Sequence, residues 1–101
     1  MSLDEALRIL AESAGVDHYG IADLSSATDA IRDQGGEFIA AYPRAVSIGV
    51  NLIHPLVDLL PSGADPGPAL YRHHAYDVIN SRLDLIISQI AGRIQHEGYS
   101  A

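Results

Sequence analysis

From Ala69 to about His96 the chain carries one long helical pattern, and its apolar face is too wide for a single neighbour. Val78, Ile79, Leu83, Ile86, Ile87, Ile90, Ala91 and Ile94 spread beyond the stripe that one packing surface covers, and Leu85 adds an apolar residue off that face. Gly98 reads as a left-handed stop, with Tyr99 able to fold back on Ile94. A helix this apolar, in a chain this short, implies burial against a missing part or a second copy. No element follows Tyr99-Ser100-Ala101. The expectation is an incomplete domain: residues 1–101 are one module, the front piece of something larger, or they pair with a second copy through the last helix.

The remaining elements read as an α/β chain in the order α-β-α-β-α. Ser2-Leu3-Asp4-Glu5 is a capping box, and Leu3, Ala6, Leu7, Leu10, Ala11 and Ala14 then fall at helical spacing up to the stop at Gly15. Val16 to Leu24 reads as a strand, with Gly20 inside it. Ser26 and Asp29 look like a capping pair for a weak helix from Asp29 to Ile39, which Gly35-Gly36 divides into two pieces. Ala45 to Leu52 is the clearest strand. It is apolar on both faces, which predicts a central position. Pro61 to Pro68 is rich in proline and glycine and reads as a loop. The predicted architecture is a layered sandwich of a small sheet and helices. If the two strands are neighbours, the connection makes them parallel with a right-handed crossover. Two strands alone make too small a sheet, so further strands have to come from elsewhere.

Composition narrows the function. Nearly half of the residues are apolar (48%), enough for a core. Thirteen carboxylates face six arginines and no lysine, a net charge of −7. The arginines are scattered. Neither nucleic acid nor an anionic membrane is therefore an expected partner, because phosphates need clustered cations. With no cysteine, these residues hold no disulfide, zinc-thiolate site or iron–sulfur cluster. The N-terminus has no basic region followed by an apolar run, and no stretch approaches the roughly 18–20 apolar residues of a membrane span. A reducing, cytoplasmic setting is compatible with all of this.

No catalytic constellation stands out. Asn51 at the end of the second strand and His54 just beyond it occupy the place where α/β proteins put ligand groups, although His54-Pro55 also fits ordinary loop. His73 and Asp77, one helical turn apart, have the spacing to share a metal ion or a proton, but two ligands at that spacing are common by chance; they are read as a solvated helix start, and no metal site is assigned. Tyr71 and Tyr76 are placed to stack on a flat ligand or to pack at the start of the helix. Gly20 and Gly49 belong to no phosphate-binding pattern.

Three stretches together resemble one family. They are Ala11 to Asp23 around a helix-to-strand turn, Tyr42-Pro43-Arg44-Ala45-Val46-Ser47-Ile48-Gly49-Val50, and Tyr71 to Ala101 with its closing Glu97-Gly98-Tyr99-Ser100-Ala101. In order and spacing they resemble the N-terminal portion of the epoxyqueuosine reductase-like iron–sulfur proteins, relatives of the corrinoid reductive dehalogenases. The resemblance implies a corrinoid-binding α/β part that precedes a ferredoxin-like module with two [4Fe–4S] clusters. It also implies that the catalytic acid of the reductases lies on a strand beyond Ala101. His74-Ala75-Tyr76 occupies the place of the reductases' Asp-Tyr-His, so the chain resembles a divergent branch. The resemblance thus implies a module that is not catalytic alone and lines a corrinoid or other flat-cofactor pocket with Asn51, His54, Tyr71, His74 and Tyr76. The alternative is a stand-alone α/β interaction domain without a cofactor, dimeric through its last helix.

Overall fold

The computed structural model describes residues 1–62 and 67–101. Helix α1 (Leu3–Ser13) leads into strand β1 (His18–Asp23), and a single 3-10 turn (Ser25–Ala27) opens α2 (Thr28–Ala40). Strand β2 (Arg44–Gly49) comes next, then the short α3 (His54–Asp58) and a second 3-10 turn (Leu60–Ser62). Helix α4 (Gly67–Arg72) passes through a π-helical segment (His73–Ile79) into the long α5 (Asn80–His96). The result is a small mixed α/β domain with a two-stranded sheet and a long C-terminal helix.

Local chemistry explains where the helices start and stop. Ser2 Oγ accepts from the Glu5 N–H at 3.1 Å and caps α1. At its other end Gly15 adopts φ 92°, the Gly15 N–H bonds Glu12 O, and the Val16 N–H bonds Ala11 O. The same six-to-one closure ends α5: Gly98 has φ 96°, its N–H bonds Gln95 O, and the Tyr99 N–H bonds Ile94 O. Gly36, at φ 82°, kinks α2 where the double glycine predicted a break. The cap of the turn before α2 differs from expectation. Asp23 Oδ1, rather than Ser26, accepts from a backbone N–H, that of Ser25 at 2.9 Å. The Asp23 carboxyl stands at the strand end and closes an Asx-type turn there.

Three expectations about the strands and the last helix are corrected. The strands are antiparallel, with His18 opposite Gly49 and Asp23 opposite Arg44. The kinked α2 doubles back instead of crossing the sheet, and the Leu24 N–H reaches Pro43 O at 2.8 Å, so both strands meet the connection at one end. β2 is an outer strand, not a central one. Its packed face carries Val46 and Ile48, whereas Ala45, Ser47 and Gly49 alternate onto an open face. Alanine and glycine make the run look apolar on both sides. The last helix begins at Gly67 rather than Ala69, so Gly67 and Pro68 are helix rather than loop, and Leu60–Ser62 is a 3-10 turn. The expected loop otherwise falls on residues 63–66, outside the described residues.

The core is a seam. Leu7 and Ala11 of α1, Val16, and Ile86 and Ile90 of α5 are buried together, with Tyr19, Val46, Ile48 and Ile94 packed against them. One face of the sheet thus lies on α1 and α5. The molecule is a slab of 49 × 34 × 18 Å with a radius of gyration of 16.9 Å, well above the ~13 Å of a compact 100-residue domain.

Candidate functional site

Two places gather the polar and the apolar features from which a site can be built, and they lie at opposite ends of β2. The first is the chain leaving β2. The Asn51 N–H donates to Asp17 Oδ2 at 2.7 Å, and Asn51 Oδ1 accepts from His18 Nε2 at 2.9 Å. The Asp17 N–H donates to Gly49 O at 2.9 Å. Asn51 is thereby committed to stapling the start of β1 onto the end of β2. Two residues on, the Ile53 N–H donates to His74 Nε2 at 3.0 Å. An accepting Nε2 makes His74 the tautomer with its proton on Nδ1. His74 is the one buried polar residue among those described, 7% exposed. It ties the segment before α3 to the π-helical turn.

The five residues predicted to contact a cofactor are only partly brought together. His74 reaches the backbone of Ile53, the residue before His54, which opens α3. Asn51 turns to His18 and Asp17. Tyr71 is half-buried in α4, and Tyr76 is 63% exposed on the π segment. Among the described residues no hydrogen bond joins either tyrosine to the other three. His73 Nδ1 and Asp77 Oδ2 do meet, at 3.1 Å, on an exposed helix surface. Among the described residues no group of three histidine, aspartate or glutamate side chains converges on a point where a metal ion could sit.

The second place is a cavity of about 640 Å3 beneath the other end of the sheet. Leu3 and Leu7 of α1, Ile21 of β1, Val46 of β2, Phe38 and Ile94 form its apolar walls, while Asp4 and Arg44 supply charge. A shallower hollow of about 350 Å3 adjoins it over Ile87, Ala91 and Ile94 of α5 and shares Phe38, Tyr42, Arg44 and Val46. The volume of the larger cavity falls in the range of small-molecule pockets. None of the five predicted residues lines it. The signal for it in the sequence is the pair Phe38 and Tyr42 directly after the Gly36 kink; their rings stack edge-to-face with centroids 5.9 Å apart.

The electrostatics along β1 are local. The Tyr19 hydroxyl donates to Asp4 Oδ1 at 3.0 Å, and the Arg8 guanidinium lies 4.8 Å from the Tyr19 ring centre. Burial, followed by the bond to Asp4 and its negative charge, pushes the Tyr19 phenol up to about 12, against a weaker opposite pull from Arg8. Tyr19 is therefore a donor at any physiological pH. Asp23 is held below the usual carboxylate range, first by its bonds to Ser25 and, to a smaller degree, by the charge of Arg44. No helix among the described residues is long and apolar enough to cross a membrane. The chain matches no family model, no curated protein and no solved structure.

Proposed function

We propose that this chain is a module of a larger, cytoplasmic iron–sulfur redox protein of the epoxyqueuosine reductase-like kind. It is silent in catalysis alone and forms one wall of a pocket for a corrinoid or another flat cofactor. The observation that carries the reading is the one-sidedness of the slab. Helices pack on one face of the sheet and the other face is open. Elsewhere Ile53, Tyr76 and Leu85 are each more than half exposed. A second layer would cover the open face. In this reading His54 and the Asn51 side-chain NH2, which its bonds to Asp17 and His18 do not use, offer polar contacts at the rim, and Tyr71 and Tyr76 offer ring surface, while His74 holds the rim segment through Ile53. The [4Fe–4S] clusters would belong to a cysteine-bearing module, because these residues contain no cysteine. A corrinoid would supply the redox-active metal; the chain's own side chains would bind and orient its periphery. The test is a titration of the complete protein with cobalamin. A change in the visible absorption bands that saturates at one equivalent supports the reading, and an unchanged spectrum counts against it.

One observation favours a second reading, a cofactor-free module that dimerises through the last helix. Leu85 is 67% exposed and Val78 46% exposed along that helix. A monomeric mass in light scattering at micromolar concentration would sink it.

A further inference from the structure

The two strands leave two outer edges, and these differ. Leu24 bonds Pro43 across the ladder, and Ala22, Gly20 and His18 lie opposite Ala45, Ser47 and Gly49. Bonded positions alternate in an antiparallel pair, so the odd-numbered residues of β2 turn their backbone groups toward β1. Arg44, Val46 and Ile48 turn theirs outward, as do Tyr19, Ile21 and Asp23 on β1. The β1 edge is guarded by charge. Arg8 and Asp4 hold Tyr19 between them, and the Asp23 carboxylate closes the turn at the strand end. Among the described residues the β2 edge has no such guard over Val46 and Ile48. Beside it lies the apolar hollow over Ile87 and Ala91, with Ile87 40% and Phe38 76% exposed.

A row of outward N–H and C=O groups next to an apolar shelf is the complement of an extended strand. The strand's backbone would continue the ladder, and every second side chain would rest on the shelf. Charge adds a constraint. Arg44, at the start of this edge, stands opposite Asp23 in the register, yet among the described residues its guanidinium makes no ion pair within 4.0 Å and is left to meet a further carboxylate. We propose that the free edge of β2 docks an extended segment of another polypeptide, apolar at alternate positions and bearing a carboxylate where it meets Arg44. This deepens the reading of the chain as one layer of a larger assembly and does not depend on the family or on a cofactor.

The test is a titration of nitrogen-15-labelled protein with a blocked peptide of alternating valine and threonine that carries one terminal aspartate. Saturable amide shifts at Val46 and Ile48, with exchange slowed at least about tenfold and Tyr19 and Ile21 unmoved, support the edge. Ile87→Lys should weaken binding about tenfold, and Arg44→Glu should reverse the preference for aspartate over lysine in the peptide. A peptide N-methylated at every second residue should not bind. Absence of shifts at millimolar peptide, or shifts on the β1 edge instead, overturns the proposal. So does peptide-free protection that rises with protein concentration and a doubled mass, which would make a second copy the occupant. The two proposals fail separately, because the cobalamin spectrum of the complete protein does not report on this edge and the peptide titration does not report on a cofactor.

Discussion

The α1–α5 seam and the region from residue 50 to residue 79 are both mostly helical, yet they are held by different forces. In the seam Leu7, Ala11, Val16, Ile86 and Ile90 bury one another, and each contact is backed by several more. Among the described residues between β2 and α5, the buried side chains are instead Ile79 and His74, and a hydrogen bond from the Ile53 N–H to His74 ties the entry of that region to its helix. Apolar packing is redundant and non-directional, so it tolerates small errors of position. A hydrogen bond is directional, and the loss of its acceptor leaves its donor without that partner in the fold. The seam is therefore expected to behave as the scaffold, and the segment around Ile53 as the part whose order depends on one imidazole.

Ile90, 1% exposed, sits at the centre of the seam. Ile90→Ala should destabilise the whole domain by about 2–5 kcal/mol, seen as an earlier midpoint in urea with every probe moving together. His74→Leu should cost about 1–3 kcal/mol by stranding the Ile53 N–H, and the effect should be local. Amide exchange should quicken at Ile53 while Leu7 and Ala11 keep their protection. If exchange quickens equally in both regions, the two are one cooperative unit and the distinction fails.

The two glycine stops sharpen the comparison inside the seam. Gly15 and Gly98 share the left-handed backbone, but a Cβ at Gly15 would collide with the Arg82 guanidinium, whose Nη2 donates to Gly15 O at 3.1 Å. A Cβ at Gly98 meets nothing within 4 Å. Gly98→Ala should cost about 1 kcal/mol from backbone strain alone, and Gly15→Ala should cost more. Equal thermal shifts would mean that Arg82 contributes nothing at the first stop.

The smallest expected effect is at Tyr19. Its phenol is raised from 10.0 to about 12 in the folded chain, so it holds its proton more tightly folded than unfolded. The associated stability is complete below pH 10 and is lost as pH rises through about 12. Tyr19→Phe should cost about 1 kcal/mol at neutral pH and should flatten stability between these two pH values, as measured by urea titrations at each pH.

Local signals in the sequence carry well where the chemistry is local. Ser2 caps α1, Gly15 and Gly98 close their helices, and the double glycine kinks α2, because each outcome depends on residues a few positions apart. Spacing alone points to Ser26 as the cap before α2, because the competing Asp23 becomes an acceptor only once β1 ends beside it. His74 stands out in the sequence as a candidate cofactor contact, while its bond to Ile53 is invisible from spacing: the two are far apart in sequence and meet only in the fold. The apolar cavity has no local signature of its own beyond two aromatic rings, because its walls come from α1, both strands, the turn after α2 and the end of α5.

What the sequence determined by itself is the first helix, the two strands, the broken second helix and the long last one, their glycine stops and the excess apolar surface of that last helix, all properties of short-range periodicity and glycine stereochemistry; the short α3 at His54–Asp58 was not among them. The tertiary structure decided the direction of β2 against β1, which of its faces is packed and which edge is bare. Those depend on how far a kinked α2 lets the chain return. The kink at Gly36 returns the chain to the end of the sheet it left, which a reading of local pattern along α2 does not reveal.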